Sequence, residues 1–202
     1  MGRLVYTAIA SLDGYVADAD GRFDWSAPSE EVHAAVNVQQ RSVGTMLLGR
    51  RMYEVLAVWE HMDVEGAPDV IREYAELWRA TDKVVYSSSL GLVGSGRTRV
   101  ERTFDADGIR RLVEASDLDV SIGGPTLAAC ALDVGLVDEV RQYLSPVVVG
   151  GGLPVFAEGL HLDLELVDER RFSDGVAYLA HRPRRAADAA TRPGTPWPAV
   201  PQ

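Results

Sequence analysis

Cysteine and lysine are almost absent from this sequence, and long apolar runs are missing altogether. The single cysteine, Cys130, excludes an intrachain disulfide, and its place among alanines of a predicted helix favours a buried, inert thiol. Arginine outnumbers lysine by nineteen to one. No apolar run approaches the ~20 residues of a membrane-spanning helix, and the N-terminus lacks a signal-peptide pattern. We therefore expect a cytoplasmic protein that engages no membrane.

Several motifs of catalysis and nucleotide binding are also missing. The sequence contains neither G-x-G-x-x-G nor G-x-x-x-x-G-K-[ST], and Gly94-Ser95-Gly96 lacks the spacing of a nucleophile elbow. The histidines are isolated and lack metal-ligand spacing, which argues against a metal site: His33, His61, His161 and His181. Hydride transfer stays open, because it asks the protein mainly to orient a cofactor and a substrate.

The composition is that of one globular domain with a sizeable core. Hydrophobic residues make up 47% and charged residues 25% of the 202 residues, and the formal net charge is −10. This negative charge argues against a nucleic-acid surface. An anionic ligand would therefore need a local cluster of cations or backbone N–H groups. We predict a domain over 1–182 and a Pro- and Ala-rich tail over 183–202, for which disorder is the default prediction.

Short apolar runs alternate with amphipathic segments along most of the chain. Runs typical of strands buried on both faces occur at 4–10, 45–48, 83–86 and 120–122, with a further short strand at 99–103. Helices are predicted from Ser26 to near Gly44, after Gly49, over 68–80, over 105–115 and from Pro125. The segment 11–25 is predicted to be an acidic loop.

The C-terminal part of the domain has a different pattern. Residues 139–149 form a long strand-like run in which Pro146 marks an edge, a bulge or a bend. The segments 162–167 and 176–182 predict an antiparallel pair around the turn at 173–175. Together these elements predict an α/β three-layer α/β/α sandwich with a mostly parallel central sheet and an antiparallel C-terminal edge.

Two glycines join the predicted strand at 120–122 to the next helix. Pro125 suits the first helical position, so Gly123 and Gly124 lie directly before a helix N-terminus. Without side chains, they leave the backbone N–H groups and the positive end of the helix dipole open to an anion such as phosphate. The alternative is a tight turn that needs a positive φ or close packing of helix on sheet.

Two further strand ends carry groups that suit an anion. Arg50 and Arg51 follow Gly49 in the first turn of a helix, where cations oppose the dipole unless an anion binds or they turn to Glu54 or another acid. Ser87 and Ser88 follow the strand at 83–86, although serines are also common in turns. Carboxyl ends of parallel strands share one edge, so these joints together predict a ligand with several phosphates, such as a dinucleotide.

These residues belong to motifs that resemble the dihydrofolate reductase superfamily. The motifs are SLDGYVA at 11–17, LLGRRMYE at 47–54, YSSS at 86–89, IGGPTL at 122–127, and LVDEV followed by SPVVVGGGLPVF within 136–156. The pattern is most similar to the reductase domain at the C-terminus of the bifunctional riboflavin-biosynthesis deaminase-reductase, and it covers about residues 3–182. The resemblance implies a dihydrofolate reductase-like fold and hydride transfer.

The resemblance implies NADPH as the cofactor. Arg50, Arg51 and Ser87 or Ser88 would lie near the adenosine 2′-phosphate, with Gly49 beside them. Ala8 and Ile9 would border the nicotinamide. The pyrophosphate would lie at the segment made of Ile122, Gly123, Gly124, Pro125, Thr126 and Leu127. Relatives often carry threonine where this chain has Met52, so a hydroxyl for the pyrophosphate is missing.

The resemblance also suggests substrate-binding residues. Asp13 of the Ser-Leu-Asp-Gly motif would contact a heterocyclic or ribose-like group. Trp25 and Glu30 resemble the segment in which dihydrofolate reductases carry a pterin-binding carboxylate, which could assist proton delivery. Asp13 and Glu30 are therefore the catalytic candidates. The alternatives are a turn residue for Asp13 and a helix-start acid for Glu30.

Three functions fit this pattern. The first is an NADPH-dependent reductase of a small heterocyclic substrate, with 5-amino-6-(5-phosphoribosylamino)uracil as the reference. The second is dihydrofolate or pterin reduction, in which Glu30 would be essential. The third is a nucleotide-binding module without catalysis. Related reductase domains pair through sheet edges, so the run at 139–149 favours a homodimer.

Overall fold

The computed structural model describes residues 2–184, so the predicted tail beyond Arg184 lies outside the described residues. The helices are α1 Glu30–Gln40, α2 Arg50–Leu56, α3 Val58–His61, α4 Asp69–Ala80, α5 Ala106–Glu114 and α6 Pro125–Asp133, with a 3-10 turn at Asp24–Ser26. The strands are β1 Leu4–Ser11, β2 Tyr15–Ala17, β3 Val43–Gly49, β4 Asp82–Tyr86, β5 Thr98–Glu101, β6 Asp119–Gly123, β7 Glu139–Ser145, β8 Leu153–Pro154, β9 Leu164–Arg171 and β10 Ala177–Pro183.

Eight of these strands form one sheet in the order β5-β4-β3-β6-β1-β7-β10-β9. The first six run parallel, whereas β10 is antiparallel to both β7 and β9. The predicted mostly parallel sheet with an antiparallel C-terminal edge is therefore confirmed. The short strands β2 and β8 form a separate antiparallel pair above the end of β1.

Helices cover both faces of the sheet, because residues of alternate parity in each strand are buried on opposite sides. On one face, α5 and α6 pack on β1 and β3 through Ile109, Leu127 and Leu132. On the other face, α1 places Val32 against the aromatic side chains of β7 and β10, and α2 and α4 cover β3 and β4. The predicted three-layer sandwich is present. None of the helices in residues 2–184 has both the length and the apolar character needed to cross a membrane.

Several predicted boundaries differ from the structure for local physical reasons. The helix expected to reach Gly44 ends at Gln40, because Val43 instead pairs with Asp119 of β6. The predicted strand at 139–149 ends at Ser145, directly before Pro146, whose ring nitrogen carries no hydrogen for a ladder bond. The expected loop at 11–25 contains β2 and the 3-10 turn. Strand β10 includes Pro183, one residue past the predicted domain boundary.

Two further expectations are wrong. Strand β7 is not an edge strand, because β1 pairs with one side of it and β10 with the other. The run at 139–149 therefore has no free edge through which a second copy could pair, and β5 and β9 form the edges of the sheet. Cys130 is exposed rather than buried, because it lies on the outer side of α6, where its Sγ donates a hydrogen bond to the Thr126 carbonyl oxygen at 3.5 Å.

The single lysine, Lys83, is buried in β4 with 1% of its surface exposed. Its Nζ donates hydrogen bonds to the carbonyl oxygens of Trp78 at 2.7 Å and Thr81 at 2.9 Å, at the end of α4. It also lies 4.7 Å from the centre of the Trp78 ring. Burial lowers the pKa of Lys83. The ammonium group thus satisfies terminal carbonyls of α4 and complements the helix dipole.

Candidate active site

The three predicted joints lie at one edge of the sheet. In the parallel ladder, Gly49 at the end of β3 pairs with Tyr86 at the end of β4. On its other side, β3 pairs with β6, and Leu48 is opposite Gly123. The residues that follow these three strands therefore lie next to one another at the same edge of the sheet. This is the edge where parallel α/β sheets bind ligands.

The Gly123-Gly124 joint has the features of the tight-turn and close-packing alternative, and it also leaves backbone N–H groups uncapped. Gly124 is the N-cap of α6 and has φ +93°, so the tight-turn alternative holds. A Cβ atom on Gly123 would lie 3.0 Å from Leu48 Cδ2 and 3.2 Å from Met52 Cγ, so close packing also holds. No side chain caps α6, which leaves its first N–H groups available to an anion.

The other members of the predicted pyrophosphate segment differ in exposure. Thr126 is exposed in the first turn of α6, and Pro125 is half-buried at its first position. The Ile122 and Leu127 side chains belong to the core, so only their backbone groups could meet a ligand. Met52 packs against the glycine pair from α2, at the position where a threonine hydroxyl was expected in relatives.

The two arginines of α2 behave differently. Arg50 Nη1 lies 3.4 Å from Glu54 Oε1. Arg50 therefore pairs with Glu54, which is the alternative to anion binding. Arg51 is exposed and has no ion-pair partner among residues 2–184. The first turn of α2 contains no acid and no side chain caps it, so its positive charge is not balanced within the helix start.

The Ser87 hydroxyl, at the joint after β4, already forms hydrogen bonds within the protein. The Ser87 hydroxyl accepts hydrogen bonds from the backbone N–H groups of Ser89 at 3.3 Å and Leu90 at 2.9 Å, as in a turn. Ser88 is exposed. Arg102 Nη1 donates to the carbonyl oxygens of Ser87 at 3.0 Å and Leu90 at 2.7 Å. Arg102 was not predicted, and its only sequence signal is a cation directly after the short strand β5.

Strand β1 extends past its neighbour β6. Their pairing ends with Tyr6 opposite Ile122, whereas the pairing of β1 with β7 continues to Ser11 opposite Ser145. From Ala8 onward, the side of β1 that faces β6 has no strand partner within the described chain. Ala8, which belongs to the core, and Ile9 therefore lie where β1 extends past β6 and the Gly123-Gly124 joint. A planar ring could contact free backbone groups of β1 there.

Asp13 lies directly beyond β1 and holds a glycine-rich loop. Its carboxylate accepts hydrogen bonds from the backbone N–H groups of Gly150 at 2.7 Å and Val149 at 3.2 Å. Hydrogen bonds from the Ser11 hydroxyl, and then from Gly150 and Val149, lower the pKa of Asp13. The exposed carboxylate thus binds loop 149–152. The alternative role of a turn residue predicted a structural contact for Asp13, but not this distant partner.

The remaining substrate candidates, Trp25 and Glu30, flank the same end of β1. Trp25 lies in the 3-10 turn, which contacts β1, and its buried Nε1 has no hydrogen-bond partner in the part of the chain that the structure describes. Glu30 is exposed in the first turn of α1, the position of a helix-start acid. The sheet-facing side of α1 is instead formed by Val32 and Val36.

Glu31, not predicted from the sequence, connects α1 to the β9–β10 hairpin. Its carboxylate accepts hydrogen bonds from the Ser173 N–H at 3.0 Å, the Ser173 hydroxyl at 2.7 Å and Arg170 Nη2 at 2.8 Å. These bonds, led by those from Ser173, lower the pKa of Glu31 to about 2. The start of α1 is therefore fixed beside β7 and β10. Its partners are about 140 residues away in sequence, so only the fold reveals them.

A cavity of about 770 Å³ lies at the opposite edge of the sheet. It is lined by residues before β1 and β7 and at the end of α6, among them Arg3, Asp133 and Asp138. The candidate site instead lies along the carboxyl ends of β4, β3, β6 and β1.

Comparison with known proteins identifies the family. The family model of the RibD C-terminal domain matches residues 3–178. The chain belongs to the RibD C-terminal domain family. This family consists of reductases, so the resemblance inferred from the motifs is confirmed and the chain is assigned to the oxidoreductases.

Relatives of this RibD C-terminal domain chain include the uncharacterized protein YyaP of Bacillus subtilis (strain 168). It is 24% identical over 181 residues, which cover 89% of this chain and 94% of YyaP. A solved structure from Shewanella sp. PV-4, assigned to riboflavin biosynthesis, is 21% identical with a TM-score of 0.70, over 91% of this chain and 99% of that one.

The Thermotoga maritima diaminohydroxyphosphoribosylaminopyrimidine deaminase/5-amino-6-(5-phosphoribosylamino)uracil reductase has the same fold. It is 20% identical with a TM-score of 0.60, over 91% of this chain but 57% of that longer protein. The pyrimidine reductase-like protein of Corynebacterium diphtheriae is 16% identical with a TM-score of 0.64, over 91% and 92% of the two chains. These structures establish the dihydrofolate reductase-like fold.

Proposed function

We propose that this chain is an NADPH-dependent reductase. Its cofactor would follow the carboxyl ends of β4, β3 and β6, and its substrate would lie beyond the end of β1. The proposal rests on one observation: these strands end side by side, in register, at Tyr86, Gly49 and Gly123. Membership of a reductase family supports it independently.

The residues present at this edge suit a phosphorylated dinucleotide. The uncapped start of α6 and the bare glycines fit a pyrophosphate, because backbone N–H groups can approach it closely. The unpaired Arg51, with Arg50 nearby, fits a further phosphate on the ribose. Such a phosphate distinguishes NADPH from NADH, so the arginines favour NADPH.

The positions of these residues suggest a role for each of them in the proposed reaction. Bound NADPH supplies the hydride. The open backbone of β1 at Ala8 and Ile9 would orient the nicotinamide toward the substrate. Asp13, with its lowered pKa and its bonds to loop 149–152, stays ionised at neutral pH, so its proposed part is to hold that loop over the substrate rather than to donate a proton.

The substrate of a family relative serves as a reference for the substrate class of this chain. The Thermotoga maritima relative is named for 5-amino-6-(5-phosphoribosylamino)uracil, and we take this pyrimidine as the reference compound. We therefore propose a small heterocycle as the substrate. A cytoplasmic location stays a prediction.

Replacing Arg51 by alanine tests the cofactor proposal. We expect about tenfold weaker NADPH binding and unchanged NADH binding, because a charge-assisted hydrogen bond contributes about 1.5 kcal/mol. Quenching of tryptophan fluorescence in separate titrations with NADPH and NADH measures both affinities. Arg50→Ala is the matched control and should weaken NADPH less, since Arg50 already pairs with Glu54. Equal losses for NADPH and NADH would contradict the assignment.

We also propose a homodimer, formed by antiparallel pairing of two β9 strands. Strand β9 is a free edge of eight residues, and Leu166 and Val167 on it are 48% and 37% exposed. The unpaired backbone groups of an edge strand can pair with another strand. Light scattering after size exclusion should give twice the chain mass. Val167→Pro should give the monomer, and Leu92→Pro, at an exposed loop position, should not; a monomeric parent protein would refute the dimer.

A further inference from the structure

The cofactor end and the substrate end of the candidate site differ in charge. The cofactor end carries Arg50, Arg51 and Arg102. The substrate end is bordered by residues 11–31, which hold six carboxylates and one arginine; with Arg170, which pairs with Glu31, the net charge is −4. Its other border, loop 146–154, has no charged residue at all. A reductase of a phosphorylated substrate would need the opposite distribution at this end.

The cations closest to the substrate end are already neutralised. Arg22 pairs with Asp18 at 3.3 Å and with Asp20 at 2.5 Å. Arg170 pairs with Glu31 at 2.8 Å. Each of these arginines is therefore bound to an acid that would have to be displaced by a phosphate.

The histidine of α1 is a poor source of positive charge. His33 is 7% exposed and packs edge-on against Trp59 and Tyr74, with ring centres 5.9 Å and 5.5 Å away. Burial lowers the pKa of His33, although Glu73 opposes the shift. Burial thus disfavours the charged imidazolium, and the ring is enclosed by aromatic side chains.

Arg171 is a cation near the substrate end that has no ion-pair partner within residues 2–184. Arg171 lies at the end of β9 and pairs with Ala177, which is opposite Leu144 of β7. It is three strands away from β1, about 14 Å at the usual strand spacing. A phosphate held there would be separated from the end of β1 by β7 and β10.

The surface at the substrate end is otherwise apolar. Leu12 and Val148 are 63% and 67% exposed, and Leu153 is 36% exposed. They lie on the two loops that Asp13 connects through Val149 and Gly150. Apolar contacts together with surrounding carboxylates suit a neutral or cationic ring system and disfavour an anion.

From this charge distribution we infer that the chain reduces a substrate without a phosphate group, a neutral or cationic heterocycle. The inference rests on the proposed function, since it concerns the substrate of that same site. It separates this chain from a reductase that takes a phosphoribosyl pyrimidine. The carboxylates would repel the phosphate, and no free cation lies close enough to offset the repulsion among the described residues.

A pair of ligands that differ only in the phosphate tests the inference. The probes are 5-amino-6-(5-phosphoribosylamino)uracil and the same compound after enzymatic removal of its phosphate. Their binding to the protein saturated with NADP⁺ is measured by calorimetry at 20 mM and 500 mM salt. We expect the dephosphorylated form to bind about tenfold more tightly at low salt, with the ratio shrinking at high salt as the charges are screened.

Two charge reversals localise the effect. Asp24→Lys, at the substrate end, should reduce the preference for the dephosphorylated form. Asp133→Lys makes the same change in net charge at the opposite edge and should leave the preference as it is. Equal or tighter binding of the phosphorylated form at low salt, or binding of neither form, would overturn the inference. Failure to bind NADP⁺ in the first step would instead refute the proposed function.

Discussion

Gly124→Ala is expected to weaken NADPH binding about 100-fold. Gly124 has φ +93°, a conformation that costs an alanine about 1–2 kcal/mol, and its new Cβ would meet Met52 Cβ at 3.4 Å. Relief of this strain requires rotation of the backbone at the start of α6. The N–H groups then lose their alignment on the pyrophosphate, and two charge-assisted hydrogen bonds account for about 3 kcal/mol.

Gly135→Ala is the matched control for this change. Gly135 lies just past the other end of α6 and also has a left-handed φ, +66°, but a Cβ there meets no atom within 4 Å. Both variants should lose about 1–2 kcal/mol of stability in urea unfolding, because both place alanine at a positive φ. Only Gly124→Ala should lose NADPH in fluorescence titration. If both variants bind NADPH equally well, the pyrophosphate does not lie at α6.

Glu139→Ala is expected to destabilise the fold by about 3–5 kcal/mol, because it leaves a buried arginine without its counter-charge. Glu139 is 5% exposed in β7 and accepts hydrogen bonds from Arg141 Nε at 2.7 Å and Arg3 Nη1 at 2.8 Å. Arg141 is itself only 8% exposed, so water cannot replace the carboxylate. Urea unfolding followed by circular dichroism measures the loss of free energy.

Asp107→Ala serves as the comparison, since Asp107 forms an exposed ion pair with Arg110 within α5. Exposed helical pairs contribute about 0.3–0.5 kcal/mol, so this variant should unfold close to the parent midpoint. NADPH binding should persist in folded Glu139→Ala, because Glu139 lies at the edge of the sheet opposite the candidate site. Similar stability losses in the two variants would show that burial does not decide the contribution of Glu139.

The sequence predicts well whatever depends on neighbours along the chain. Pro125 after two glycines predicts the start of α6, and alternating strands and helices predict the parallel sheet and hence the shared edge of Gly49, Tyr86 and Gly123. The conformation of Gly124 also follows, because a glycine before a helix tolerates a positive φ.

Contacts between distant segments could not be predicted in the same way. The Asp13 carboxylate bonds to residues 136 and 137 positions away, so its use in holding loop 149–152 appears only in the fold. The interior place of β7 depends on the β9–β10 hairpin adding outside it, which local patterns do not determine. The exposure of Cys130 depends on which side of α6 packs on the sheet, and an alanine-rich helix gives a weak signal for this choice.

The burial of Lys83 has a practical consequence for the whole molecule. Because its ammonium group lies under α4 with 1% exposure, an acylating reagent reaches the single ε-amino group of the chain only when β4 separates from that helix. The acylation rate of Lys83 in native buffer is then set by the population of opened molecules. One residue thereby reports, in a single mass-spectrometric peak, how often the centre of the domain opens.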